Sequence, residues 1–523
     1  MASPFKAISD QANQRLADAR AQKDGVAQDI REAYFFTNPR LYRQVRSDSP
    51  PTTKVDDETQ VVTGVGTEAN EDFATEVLTA FFPPAIPWVQ SMPTANVKKA
   101  DKAKMVAAAK AVDDQVFDEI RSSNLDAELG TALTPDIGVG TIGLWVDEDS
   151  GHLPIRVQHV PIRELEINVG PRGDVDDRFA VKYIRYRSLR AMIPNVEIPA
   201  HFAKKIEKKP NEYVRVAWGF WRDWNVRGDE VWTAVIMLDG EVVWHGDRKG
   251  EGSVELLVAR FAPDNLHAFG NGPSIKALPD LRVLDALTEA QQNRGLTSMN
   301  PPFAFPDDGI MNFEGGIRDG MAYPKRPGGG PNDIVPLYFA GDVNLGFFTT
   351  EDLRRSIRRK HFADYPEQAG KTPPTATQWA DEMAKSQRRL GTPGAKFFNE
   401  GPVQIFNRFR FLGQRRKTVQ PYEYEGKPLV CRPSNPAAKA LEQQEVAMAT
   451  RLLEILNAFF PQFMATVVDP VKTATALKEK LGDKIITFRS EEEAAALIQK
   501  TLEAAPGVQQ QLAPPAAGGG APQ

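Results

Sequence analysis

The chain has 523 residues, 41% of them apolar and 25% charged, and a formal net charge of −5 at pH 7. That length leaves room for roughly two to four domains, and the negative balance excludes a globally basic nucleic-acid binder while leaving local basic patches open. A single cysteine, Cys431, excludes an intramolecular disulfide and a CxxC zinc site, and points to a reducing compartment.

Residues 1–10 lack an apolar signal core, and the most apolar stretch, 77–89, is interrupted by Pro83, Pro84 and Pro87. A soluble, cytoplasmic product without a membrane partner is therefore expected. Residues 4–36 read as one or two amphipathic helices, with Ile8, Ala12, Leu16 and Ala19 in register and Gly25 as a break. Residues 45–66 are polar and rich in Pro, Thr and Asp. A helix over 67–82 should stop at Pro83-Pro84. The next, over 101–121, carries Met105, Ala109, Val112, Val116 and Ile120 on one stripe.

From Thr141 the apolar period changes from 3.6 to 2. Strands are predicted at 141–146, 155–160, 179–186, 213–218, 231–238 and 254–261, with turns at 149–151, 171–174 and 239–240. The fold class is thus α+β, an antiparallel β region laid on a helical N-terminal layer.

The stretch 270–413 is different in kind. Gly270-Asn271-Gly272-Pro273 opens an apolar helix with Leu278, Leu281, Leu284 and Leu287 on one stripe. A Pro- and Gly-rich insert (301–346), a basic helix (352–360), a loop (365–374) and a long helix from Thr375 follow. About 20 residues after Pro279 would span about 30 Å, and such a stripe needs neighbours that the insert cannot supply alone. A heterologous interface repeated by rotation would supply them and close a ring.

Beyond 413, an extended piece at 419–432 precedes helices at 435–460, 469–481 and 490–503. The Gln-, Ala-, Pro- and Gly-rich tail after Pro506 should be disordered.

Catalytic signatures are weak. Gly370-Lys371-Thr372 resembles the end of a P-loop, but Tyr365 replaces the required glycine and Pro373-Pro374 follow. Gly138-Val139-Gly140-Thr141-Ile142-Gly143 formally fits GxGxxG yet opens a strand, which leaves no helix N-terminus for a pyrophosphate; a flexible turn is the expectation. Asp174-Val175-Asp176-Asp177 lacks the remainder of a calcium loop and reads as a solvated hairpin turn. No cofactor, metal or catalytic residue is expected. Between 353 and 417 there are fifteen Lys or Arg against five acids, a local balance of about +10. Two readings stand: sequence-blind contact with a polyanion, nucleic acid foremost, or pairing with a neighbouring subunit or solvent.

Several collinear features carry a family resemblance. They are the helix at 68–82 ending Phe81-Phe82-Pro83 before Trp88, and Ser122 and Asn124 leading through 138–146. Two more are Ala268-Phe269-Gly270-Asn271-Gly272-Pro273 followed by Ala277-Leu278-Pro279-Asp280-Leu281, and Thr375-Ala376-Thr377-Gln378-Trp379 with Gln387, Arg388, Leu390 and Gly391. Over roughly residues 5–460 the chain resembles the portal, or head-to-tail connector, proteins of short-tailed, T7-like bacteriophages; Gln378 stands where Glu is more usual.

The resemblance implies the portal fold of wing, stem, clip and crown, in a homo-oligomeric ring, usually of twelve subunits, at one capsid vertex. Double-stranded DNA would pass through its channel during packaging and ejection. Expected partners are the terminase, a tail adaptor, and capsid and scaffold proteins. The implied division is wing (1–268), first stem helix (269–300), clip (301–346), second stem helix (347–365) and tunnel loop (366–374). A long tunnel helix with its return to the wing (375–432), crown (433–505) and tail (506–523) complete it. Channel candidates are Gln368, Lys371 and Thr372 in the loop, with Arg354, Arg355, Arg358 and Arg359 on the basic helix. On that helix 354 and 358 share one face, with 355 and 359 about 100° away. Partner-docking candidates in the clip are Asp307, Asp308, Tyr323, Lys325 and Arg326. A ring-shaped translocase and a different virion adaptor are the alternatives.

Overall fold

The computed structural model describes residues 5–42, 50, 61–84, 86–93, 99–149, 151–194, 196–226, 230–264, 266–300, 302–306, 322–325, 335–336, 343–363, 389–391, 393–422, 429–434, 448–456, 458, 473–474 and 477. The chain divides into two compact units, Met1–Ala437 and Ala438–Gln523. In the second, residues 448–456 are helical, and so are 473–474 and 477, within two of the segments expected to be helices. The expected tail lies outside the described residues.

The first unit is layered. Helix α1 (Lys6–Thr37) lies on a five-stranded antiparallel sheet of β4 (Leu165–Val169), β5 (Val175–Arg185), β6 (Tyr213–Arg222), β7 (Val231–Leu238) and β8 (Glu241–Lys249), in that order. Alternation along the strands divides the two faces. Phe179, Val181, Ala217, Trp221, Val235 and Met237 pack against Ala12, Leu16 and Ala19 of α1. Val216, Trp218 and Phe220 point the other way, into a core shared with a second sheet.

That second sheet has the order β3-β2-β9, made of β3 (Ile155–Val160), β2 (Thr141–Glu148) and β9 (Leu256–Arg260). Its other face, with Ile142, Leu144, Val146, Ile155, Val157, Leu257 and Ala259, meets a helical layer. This layer holds α2 (Val65–Phe81), α3 (Lys99–Arg121), α4 (Leu125–Asp136) and α9 (Pro402–Arg415), with β1 (Val89–Pro93) paired to β13 (Leu429–Pro433) at its side. Short helices α5 (Tyr186–Met192) and α6 (Ala200–Lys208) connect β5 to β6. Between α7 (Pro273–Met299) and α8 (Val343–Lys360) lies a small sheet in which β10 (Phe303–Pro306) separates β11 (Ala322–Lys325) from β12 (Val335–Pro336).

Three expectations are corrected. Gly25 does not break α1. The helix is continuous because Lys23, Val26 and Ile30 on either side of it are buried, and that burial outweighs the roughly 1 kcal/mol helix cost of an exposed glycine. Lys23 reaches this core position because its ammonium donates to the carbonyls of Ile162, Arg163 and Leu165 at 2.7–3.0 Å.

The Asp174–Asp177 stretch is not all turn. Asp176 and Asp177 belong to β5 and are buried, Asp176 accepting from the Trp224 indole and Asp177 from Arg15. The long helix expected from Thr375 is interrupted: residues 393–400 are helical, Gly401 leaves helical geometry, and Pro402 starts α9. Helix α7 starts at Pro273, with Pro279 inside it.

The GxGxxG segment is the turn before a strand that was expected, at residues 137–140 ahead of β2, and it is also a close backbone crossing. Gly138-Val139-Gly140 runs against Gly270-Asn271-Gly272. A Cβ on Gly270 would sit 1.8 Å from the Gly140 carbonyl oxygen, and one on Gly272 would sit 2.1 Å from that of Gly138. Gly140 also has φ +94°, a left-handed conformation that favours glycine. The crossing is held by Gly270 N–H to Thr141 Oγ1 (2.8 Å), Gly272 N–H to Val139 O (3.3 Å) and Ser274 N–H to Gly138 O (2.9 Å).

Candidate nucleic-acid interface

Helix α8, on which four of the expected channel residues lie, pairs with α7, and both are rooted at the glycine crossing. Pro273 occupies the first turn of α7, where its missing N–H costs nothing. Ser274, fully buried, lies 3.0 Å from Nε2 of His361, just past the end of α8. Nδ1 of His361 is 2.9 Å from the Ile357 carbonyl. A carbonyl can only accept, so Nδ1 carries the proton and Nε2 accepts from the Ser274 hydroxyl. Burial pushes the imidazole down to about 4, so it is neutral at physiological pH. A buried Ser–His pair oriented by a carbonyl fixes two helices together. It lacks the accessible hydroxyl and the orienting carboxylate that nucleophilic catalysis uses.

Nearly two turns further along α7, Asp280 accepts from Ser356 Oγ (2.6 Å) and Lys360 Nζ (2.7 Å) on α8. Burial alone would raise this carboxyl, but the bonds from Lys360 and Ser356 outweigh it and hold it below its ordinary value. Arg282 forks onto Glu32 of α1 with both contacts at 2.5 Å, and Asp285 accepts the backbone N–H groups of Val62 and Thr63. Leu278, Leu281 and Leu284 are buried, while Leu287 is only half-buried. From 285 to 299 no residue of α7 is buried within the chain, and Leu296 and Met299 are 59% and 86% exposed.

The four arginines of α8 separate into two pairs, one helical face apart. Arg354 meets Glu351 at 3.5 Å and Arg358 meets Glu68 of α2 at 3.7 Å. Arg355 and Arg359 are exposed and have no ion pair among the described residues, although the Arg359 carbonyl accepts from Arg389. The loop candidates Gln368, Lys371 and Thr372 lie outside the described residues, and so do Asp307, Asp308 and Arg326. Tyr323 and Lys325 fall in β11.

Among the described residues, part of the +10 balance over 353–417 is neutralised by acids elsewhere in the same chain. Arg408 is buried, donating to the carbonyls of Val146, Gly252 and Ser253 and to Asp147. Arg410 pairs with Glu251, Arg415 with Glu148 and Arg416 with Glu119. The two sequence readings, a polyanion or a neighbour, both omitted this intrachain outcome.

Sequence reasoning also missed Arg260, whose guanidinium is buried against Glu400 (2.5 and 3.0 Å) and donates to the carbonyls of Ala268 and Gly173. Nothing in the spacing of residues 140 positions apart announces such a pair. Arg178 is similarly sealed; burial lowers its guanidinium to about 10, and it lies over the Trp232 ring at 4.7 Å.

The class these features define is a layered body carrying a helix pair fixed to it by buried polar contacts. Among the described residues no group of three His, Cys, Asp or Glu is placed to hold a metal ion. No described helix is long and apolar enough to cross a membrane. The profile of the bacteriophage head to tail connecting proteins matches residues 9–483. The chain belongs to that family of structural virion proteins.

No curated protein matches the chain. Among solved structures it is similar to a chain in the neck of an empty gene transfer agent (GTA) particle, with 14% identity, 79% of this chain and 90% of that chain covered, and a TM-score of 0.36. A chain in the virion of the native GTA particle gives 14%, 78%, 93% and 0.33. One in the native GTA neck computed with C12 symmetry gives 12%, 82%, 94% and 0.33.

Proposed function

We propose that this chain is the subunit of a portal ring, of the kind found in short-tailed phages, that conducts double-stranded DNA through one capsid vertex. In this reading the layered body is the wing, α7 and α8 are the stem, the segment between them is the clip, and residues 433–505 are the crown. Terminase would dock on the clip, the tail adaptor would follow it, and scaffold and capsid proteins would meet the wing. The protein itself turns over no nucleotide; it is a conduit and a platform.

One observation carries the proposal: the outer half of α7 extends beyond the chain's own core with Leu296 and Met299 uncovered. Fourteen or so residues of helix span about 20 Å, and leaving them bare in water forgoes the burial that stabilises most helices in proteins. Copies related by rotation would cover them. A closed ring would place Arg355 and Arg359 on either the lumen or the neighbouring subunit. Sequence-blind phosphate contact needs only such exposed cations.

Images of the purified protein down its symmetry axis test this: a ring with a central hole wide enough for a duplex is expected, and a solid or linear particle refutes it. Within rings, Lys371→Glu should leave assembly intact while impairing DNA packaging or retention. Failure to form rings would remove Lys371 from the channel.

A further inference from the structure

The connection from β5 to β6 folds into two short helices, α5 and α6, that pack together as one plate. The Tyr186 and Arg187 N–H groups at the start of α5 donate to the carbonyls of Glu212 and Pro210, just past the end of α6. The Lys205 ammonium lies over the Tyr186 ring at 5.7 Å. Apolar residues of the plate face inward: Tyr186, Leu189 and Phe202 belong to the core shared by the two sheets, and Ile206 packs against it.

The outer surface is basic. Arg187 and Arg190 on α5, and Lys204, Lys205 and Lys208 on α6, are all exposed. Arg187 and Arg190 are three residues apart, and Lys204 and Lys208 four, so each pair shares a helix face. The two helices carry one acid, Glu207; Glu197 lies between them in the chain, and Lys209 just beyond α6 is matched by Glu212 at 2.7 Å. Arg187 reaches Asn211 Oδ1 at 3.4 Å. Arg190, Lys204 and Lys208 meet no acid among the described residues. This excess is local: α1 and α3 each carry five cations and five acids, and the whole chain has a net charge of −5. Like charges one turn apart weaken a helix, so the cluster works against its own element until an anion approaches.

What accompanies the charge selects the partner. A helix that lies in a membrane surface needs a free apolar face, and that of α6 is used up in the core. A protein interface concentrates its energy in buried aromatic or apolar anchors, whereas Met192 is the one exposed large apolar side chain described on these two helices. What remains is a set of unneutralised cations on long side chains, which is what sequence-blind contact with a line of phosphates requires. Helix α6 has nine residues. Its length of about 13 Å spans roughly eight charges of a duplex, at about one per 1.7 Å of axis.

We propose that the α5–α6 plate is a second, sequence-blind binding surface for double-stranded nucleic acid, separate from α8. Arg190, Lys204 and Lys208 contact phosphates, with Arg187 and Lys205 beside them. The plate shares its ligand with the channel reading but needs no ring.

The test uses the full chain and fluorescein-labelled 24-base-pair duplexes of two unrelated sequences, followed by anisotropy between 50 and 300 mM NaCl. Both duplexes should bind equally, and binding should weaken steeply with salt. Lys204→Gln with Lys208→Gln should flatten the log–log salt slope by about two units and weaken binding at the lowest salt at least tenfold. Lys104→Gln with Lys110→Gln, an equal change of charge at exposed positions of α3, should do neither. All four lysines are exposed, so both double variants should keep the parent melting temperature. The proposal is overturned by no duplex binding, by a salt slope that ignores the Lys204 and Lys208 changes, or by an equal effect of the α3 pair. A polyglutamate of matched charge that binds more tightly than the duplex also overturns it, by making the partner an acidic protein. Rings with a central hole whose duplex binding depends on Arg355 and Arg359 alone would keep the channel reading and sink this one. Particles without a hole that still lose duplex binding with the lysine pair would do the reverse.

Discussion

Replacing Gly270 with alanine tests whether the glycine crossing is what roots α7 and α8. The new Cβ would be 1.8 Å from the Gly140 carbonyl oxygen, where real Cβ atoms essentially never come within 3.0 Å of a neighbour. The obstacle is backbone on both sides, so the two segments must part by about 1.2 Å or more. Three hydrogen bonds span the gap, from the N–H groups of Gly270, Gly272 and Ser274. At about 1 kcal/mol each, with some unsatisfied-donor penalty added, the loss is about 3–4 kcal/mol. In a body this large that lowers the melting temperature by about 5–10 °C. The assay is thermal unfolding followed by circular dichroism, with Gly25→Ala beside it. Gly25 has open space around its Cα within an unbroken helix, so that substitution should raise stability by about 1 kcal/mol. If Gly270→Ala melts within a degree of the parent protein, the crossing is not packed as described and the argument fails.

Three more predictions concern the buried polar contacts and the arginine pairs. His361 has its folded-state pKa lowered to about 4 from 6.5, so the unfolded chain takes the proton more readily. Its contribution is complete above pH 6.5 and falls away as the pH drops toward 4, by about 3 kcal/mol in all. Denaturant midpoints across that range should show the slope, and His361→Gln should flatten it. Glu400→Ala strands the buried Arg260 guanidinium and should cost about 3–5 kcal/mol in the same assay; an unchanged midpoint would mean that Arg260 is reached by water. Reversing Arg355 and Arg359 together should leave stability within about 0.5 kcal/mol. In the same double variant, the salt dependence of duplex association should flatten by up to about two units of slope per chain. Unaltered salt dependence would remove both residues from any DNA contact.

Much of the fold was legible because burial obeys simple periods. The stripe Met105, Ala109, Val112, Val116 and Ile120 is buried as spaced, and the strand predicted at 231–238 has those bounds. What was missed follows from the same logic. In β8 the outer half alternates exposed and half-buried residues through His245, Asp247 and Lys249, so no apolar run marked it. In α4, Gly130 and Pro135 disguise a helix whose Leu125, Leu129 and Leu133 are buried. Within the candidate interface, the helices and their order were readable, whereas the destination of each cation was not. Charge counted along the sequence cannot see Glu68, Glu119, Glu148 or Glu251, which tertiary folding brings to the arginines.

The division of α8 into committed and uncommitted arginines has a consequence for motion. If rotation repeats this chain about an axis with Arg355 and Arg359 inward, the two guanidinium groups, one helical turn apart, make a collar only about 6 Å tall. A duplex advancing along that axis meets attraction over roughly two base-pair steps at a time. Each phosphate that leaves the collar is replaced by the next, so the energy of the threaded polymer changes little with its position. A tall, fully basic wall would grip DNA like a brake lining; a thin one centres it and lets it run.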